Sequence, residues 1–152
     1  MTDWLTSEQQ RAWVALQKMQ LRLTGRLASD LAAHSGLSYQ DYTVLVALTA
    51  DPCGRQRPHE LGTSLGWEKS RVSHHINRMV ARGLVAKERC DSDGRGTEVV
   101  VTDQGRREIE AAAPSHVAAV RDLFIDVLTA EQLATIGGAA EAVLARLALD
   151  DR

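Results

Sequence analysis

Between Glu68 and Arg82 lies the chain's densest run of groups able to bond an anion or a base edge: Lys69, Ser70, Arg71, Ser73, His74, Asn77, Arg78 and Arg82. At about 100° per residue, Val72, Ile76, Met79 and Val80 fall on one side of a helix, and Ser70, Arg71, His74, Asn77, Arg78 and Ala81 on the other. The aliphatic side would pack on preceding helices. The other side is small, polar and basic, fit to enter a major groove and reach base edges and phosphates. An ordinary solvated helix face has the same residue types, so the setting must decide. Arg95 stands between Gly94 and Gly96 at the tip of a predicted hairpin. An arginine on such a thin loop can insert into a minor groove and respond to its width and negative potential. Lys69, Arg82 and Lys87 are then candidates for phosphate contacts.

Other chemistries find less support. The five histidines, His34, His59, His74, His75 and His116, form no i,i+4 pair, and His74 and His75 point to different sides of the helix, so no metal site is expected. No Ser-His-Asp spacing, paired-carboxylate motif, phosphate-binding loop or dinucleotide fingerprint occurs, so neither an enzyme nor a cofactor is expected. Cys53 in a predicted loop and Cys90 at the base of the hairpin are redox candidates if their thiols ionise readily; Arg89 would assist Cys90 and Asp91 oppose it.

The elements that must position these groups follow from caps and periodicity. Thr6 and Ser7, each with Gln three residues later, start a helix that carries Trp13, Leu16, Met19, Leu23, Leu27 and Leu31 at helical spacing to about residue 33, with Gly36 as its stop. Ser38-x-x-Asp41 starts a second helix to about Ala50, and Asp51-Pro52-Cys53-Gly54 is a turn. A short helix, 58–65, is broken by Gly66, and a longer one, 68–82, by Gly83. Two β-prone runs, 84–89 and 97–101, flank the polar stretch 90–96 as a hairpin. Thr102 caps a helix predicted to reach about Leu128, bent or broken at Pro114, and Thr129-x-x-Gln132 starts a last one to about Leu149. The fold class is mainly α with a small β-hairpin wing (α+β): a winged helix-turn-helix at about 38–101 within a single domain, 1–152.

Composition narrows the class. The chain has 152 residues, 44% hydrophobic, 25% charged and only 4% aromatic, so an aliphatic core is expected and disorder or a disulfide scaffold is not. The N-terminus lacks the basic and apolar segments of a signal peptide, and no run of about 18 apolar residues predicts a membrane span, so a reducing cytoplasm is expected. The net charge of −2 hides a division. Residues 55–107 hold 11 basic and 7 acidic side chains, whereas 108–152 hold 3 and 8. A basic centre on an acidic scaffold suits an anion-binding module. The last helix carries Leu133, Ile136, Val143, Leu144 and Leu147 beside Gly137-Gly138-Ala139-Ala140. Glycine inside a helix costs about 1 kcal/mol relative to alanine, which close approach of another helix would offset, so a homodimer is expected.

Arg78-Met79-Val80-Ala81-Arg82-Gly83-Leu84-Val85, Asp93-Gly94-Arg95-Gly96 and Val101-Thr102-x-x-Gly105 together resemble the MarR family of bacterial winged-helix transcriptional regulators. They are similar to the family's R-L-x-x-x-G-(L/W)-(V/I), its wing D-x-R-(R/G) and the L-T-x-x-G that closes the wing. The spacing between them and the helix order fit over nearly the whole chain. The resemblance implies an obligate homodimer formed by terminal helices, here about 6–33 and 103–149. It also implies binding of double-stranded DNA at a pseudo-palindromic operator, usually as a repressor released by a small phenolic ligand, an oxidant or a metal. Ser73 and His74 fall where the family commonly has Thr-Arg; Arg95 matches the wing arginine and Asp93 the acid that steadies it. His74 departs from the pattern by losing a permanent charge and a bidentate fork, for which Arg71 is placed to compensate. Pockets in such folds lie between dimer helices and wing domain, which makes Trp13, Arg26, Tyr39, Tyr42 and His116 ligand candidates; Trp13 and Tyr42 also fit core positions. Family thiol sensors usually carry the reactive cysteine in the first helix, where this chain has none. The alternatives are a thiol-based redox regulator and a winged helix used only as a protein-interaction scaffold, which would not need Arg71, Arg78 and Arg95 on one surface.

Overall fold

The computed structural model describes residues 4–89 and 96–150. Thr6 opens α1 (Ser7–His34) with a capping box: its hydroxyl accepts from the Gln9 N–H at 3.2 Å while its own N–H donates to Gln9 Oε1 at 2.8 Å. Ser38 and Asp41 open α2 (Tyr39–Ala50) in the same way. These caps satisfy N–H groups that the first helical turn leaves unpaired. A turn at Gly54 leads through strand β1 (Arg55–Gln56) into α3 (Pro58–Leu65), then α4 (Lys69–Ala81). β2 (Val85–Arg89) and β3 (Thr97–Val101) pair antiparallel, Val85 opposite Val101 and Arg89 opposite Thr97. After α5 (Asp103–Val120) the chain makes a π-helical turn, Arg121–Ile125, and ends in α6 (Ala130–Asp150).

The expected helices and hairpin are all present, most ends falling within two residues of expectation. Two departures have physical causes. β1, paired to β3 through Arg55–Val100 and Gln56–Val99, makes the hairpin a three-stranded sheet ordered β1-β3-β2; two residues are too few to show strand periodicity. Pro114 does not break α5, which continues to Val120 before the π-turn begins at Arg121. Glu110, the residue whose carbonyl the proline leaves unpaired, lies on the exposed side of the helix, where water can satisfy it.

One aliphatic core joins α1, α2, α3, α4, the sheet and α5. It is built on Leu31, Leu45, Leu48, Leu61, Ile76, Met79 and Val99, none more than 1% exposed. Of the predicted inner face of α4, Val72, Ile76 and Met79 are buried, but Val80 is 38% exposed. On α1 only Leu27 and Leu31 are buried; Trp13, Leu16 and Met19 stand in solvent, so Trp13 does not occupy the core position its spacing suggested. Among the described residues of α6 none is buried. By length and composition its stretch Ala130–Leu149 is long and apolar enough to cross a membrane, which corrects the expectation that no such segment exists.

The joint between β3 and α5 explains Val101-Thr102-x-x-Gly105. The Thr102 hydroxyl donates toward the carbonyls of Gly83 (2.6 Å) and Leu84 (3.0 Å) and accepts from the Gly105 N–H at 3.0 Å. The Leu84 carbonyl sits so close to Gly105 that a Cβ there would overlap it. One threonine and one glycine thereby lock α5 to the end of α4.

A second lock, between α2 and the end of α4, is made by Asp41, a carboxylate 2% exposed. Arg82 Nη1 donates to its Oδ2 at 2.6 Å, and Nη2 donates to the Gly36 carbonyl at 2.8 Å. His75 Nε2 lies 3.1 Å from Oδ1, a close electrostatic contact rather than an aligned hydrogen bond. Burial pushes the carboxyl pKa up, but His75, Arg82 and the Ser38 N–H more than reverse that and hold it well below the usual carboxylate range. A lowered acid pKa contributes stability that is present above the unfolded value, about 4, and is lost as pH falls toward the folded value. Asp41→Asn should therefore lower urea-unfolding stability at pH 7 by about 2 kcal/mol. The gap from the native chain should narrow as pH falls below about 4; a pH-independent gap would remove the ionised carboxylate from this role.

Candidate nucleic-acid interface

The turn between α3 and α4 sets the interface. Gly66 takes the left-handed conformation, φ +64°, and the following Trp67 N–H donates back to Gly62 O at 2.8 Å. This closure, with the Gly66 N–H donating to Thr63 O at 3.3 Å, ends α3 sharply at a position that glycine tolerates without strain. It leaves Trp67 half-buried against the core, directly before α4. From there Lys69, Ser70, Arg71, Ser73, His74, Asn77 and Arg78 are all exposed, opposite the buried Val72, Ile76 and Met79.

Several of these groups are held by neighbours. Arg71 Cζ lies 4.4 Å from the centre of the Trp67 ring, and the His75 ring meets the indole edge-on at 5.3 Å and 80°. Lys87 on β2 donates to Asn77 Oδ1 at 2.6 Å, which couples strand to helix. Arg55 on β1 reaches Glu98 at 3.2 Å and Glu88 at 3.6 Å across the sheet. Arg82 is placed otherwise than its phosphate assignment expects. Its guanidinium is committed to Asp41 and Gly36, because a buried carboxylate requires a cation more than the surface does. The wing-tip candidates Arg95 and Asp93, and Cys90 with them, lie outside the described residues.

Sequence reasoning missed Trp67, His75 and Asp41 as members of this site. Asp41 reads as an ordinary capping residue, and only the separation of His75 from His74 hinted that one histidine faces inward.

The ligand candidates divide. Tyr39, Tyr42 and His116 come together where α2 meets α5, with ring centres 6.3 Å (Tyr39) and 4.4 Å (Tyr42) from His116. Burial lowers the His116 pKa, partly countered by the charge of Asp30, and burial raises that of Tyr42. Arg26 lines an adjoining open cleft of about 340 Å³ between α1 and α5, with Asp30, Ser115 and Asp122. Trp13 lies more than three helical turns before Arg26 on the exposed part of α1 and lines neither. Cys53 is exposed, its backbone N–H bonded to Asp51 Oδ1 at 2.8 Å. Among the described residues no group of three or more His, Cys, Asp or Glu could hold a metal ion.

Residues 35–96 match the model of the MarR family. No curated protein sequence matches the chain significantly. Among solved structures it is similar to AbsC, a MarR family transcriptional regulator from Streptomyces coelicolor, with 39% identity and a TM-score of 0.88 over 96% of this chain and 98% of that one. Sco3205 of the same organism, a MarR family transcriptional regulator solved in complex with DNA, is 34% identical with a TM-score of 0.87, over 94% and 89% of the two chains. Sco5413, also from S. coelicolor, is 27% identical with a TM-score of 0.77, over 96% and 98%. A winged helix whose exposed polar face is held by a buried ion pair, matched over nearly its full length at this identity, places the chain in the MarR family of transcriptional regulators.

Proposed function

We propose that this chain is a sequence-specific DNA-binding repressor that acts as a homodimer on a pseudo-palindromic operator in the cytoplasm. The observation that carries the reading is α4, which exposes Lys69, Ser70, Arg71, Ser73, His74, Asn77 and Arg78 on one side while the core fixes the other. Groups on that face would enter the major groove, and Arg95, with Asp93 beside it in sequence, would reach the minor groove from the wing. Two copies would present their α4 helices about 34 Å apart, one turn of duplex.

The dimer reading is supported by the apolar surface left over. Trp13, Val14, Leu16 and Met19 on α1 and Val143, Leu144 and Leu147 on α6 are all exposed, two apolar stripes of the kind that partner surfaces cover. The same helices of a second copy, with Gly137 and Gly138 unobstructed for close approach, would cover them without a membrane. For the signal, the Tyr39–Tyr42–His116 cluster beside the α1–α5 cleft favours a small aromatic or phenolic ligand. His116 Nδ1 and Asp30 Oδ2 there are buried without hydrogen-bond partners. A thiol signal has Cys53 alone in its support among the described residues.

A gel-shift against the DNA upstream of the chain's own coding region, competed with random duplex, tests the reading, and raising salt from 50 to 200 mM should weaken binding at least a hundredfold. A flat salt response would contradict an electrostatic interface. Arg95→Ala should weaken binding more than tenfold while sedimentation still reports twice 16.6 kDa. Leu144→Asp should yield a monomer that no longer shifts DNA; a wild-type chain that sediments as a monomer at micromolar concentration would end the dimer reading.

A further inference from the structure

We propose that Trp67 is a positioning residue that fixes Arg71 as the base-reading arginine of α4. The inference rests on the DNA-binding role argued above and adds which residue discriminates sequence and what aims it. Arg71 lies in the first turn of α4, the end of a recognition helix that reaches base edges. An exposed arginine has many rotamers, and a bidentate contact to guanine O6 and N7 demands one of them.

Arg71 is the one cation of this face seated over an aromatic ring among the described residues, 4.4 Å from the centre of Trp67. The π face attracts the cation without any carboxylate or carbonyl acceptor. Arg71 has no such acceptor among the described residues, so its donors remain for a base.

The platform is itself immobilised. The Trp67 backbone N–H is bonded to Gly62 O, its side chain packs on the core, and its ring stands nearly perpendicular to that of His75, which in turn contacts the buried Asp41. An exposed side chain is thus referred to a buried, paired carboxylate. Among the described residues Lys69 and Arg78 have no such platform and suit phosphates, to which a mobile charge is adequate. His74 cannot make arginine's bidentate fork, so the duty falls to Arg71.

The test uses duplexes selected from a random library by the full-length wild-type chain, with a scrambled duplex as control. Dissociation constants are measured for both at one salt concentration. Trp67→Leu should lower the ratio of scrambled to selected constants about tenfold, with the scrambled constant changed less than twofold. Trp67→Phe, which keeps a π face, should retain most of the ratio. In an Arg71→Ala background, Trp67→Leu should change the ratio less than twofold, because a residue that acts through Arg71 has nothing left to aim. Equal losses with and without Arg71 would mean a merely structural tryptophan and overturn the proposal, as would an unchanged ratio in Trp67→Leu or loss of the ratio in a well-folded Trp67→Phe. A wild-type chain that bound the scrambled duplex but selected no sequence would overturn the proposal and leave DNA binding standing; one that bound no duplex would remove both.

Discussion

A carboxylate buried among aliphatic side chains must be paired, and the way Asp41 is paired sets the geometry of everything that faces outward. Its partners come from different parts of the chain: Ser38 in its own helix cap, and His75 and Arg82 from the far element α4. His75 and Arg82 are seven residues apart, two turns along one side of that helix. Two contacts on one side fix both the rotation of α4 and its direction relative to α2. Aliphatic packing alone is poorly directional, and Val72, Ile76 and Met79 would tolerate small rotations that the ion pair resists. The polar face of α4 is therefore aimed by a charge it does not display.

That arrangement has a consequence for composition. Arg82 counts toward the basic centre of the chain, yet its charge is consumed inward, and Arg55 is similarly occupied by Glu88 and Glu98. The net charge of a segment thus overstates the charge available to a polyanion. What remains on the α4 surface is Lys69, Arg71 and Arg78, with Lys87 of β2 beside Asn77. Basic residues at a joint serve the joint first.

The sequence showed most of the architecture because it depends on local chemistry: hydroxyl caps at Thr6, Ser38 and Thr102, a left-handed glycine at Gly66, and an apolar period in α4. It also placed the exposed polar residues of α4 on the correct side. Tertiary pairing was not legible. Asp41 and Arg82 are 41 positions apart, and nothing in either's immediate neighbourhood announces the other. β1 was hidden because its strand character comes from its partner β3 rather than from its own two residues. Trp13 fits a core position by spacing yet stands in solvent, because periodicity reports that a face is apolar without saying which surface covers it.

That last ambiguity ties the terminal helices to the winged centre. The apolar stripe of α1 is continuous in sequence, but its C-terminal part, Leu27 and Leu31, is covered by this chain and its N-terminal part is not. One rigid helix thus serves two environments, with the folded winged centre at one end and uncovered apolar surface at the other. Whatever covers the free end fixes the direction of α1, and α1 packs on α2 and α5. α2 carries Asp41, and Asp41 holds α4. A change in how the terminal helices are covered therefore has a continuous packed route to the polar face of α4. Tyr42 and His116 meet where α2 packs against α5, so a group wedged there would act on the same joint. The terminal helix α1 and the polar face of α4 are thus joined through α2 by continuous packing and the Asp41 ion pair.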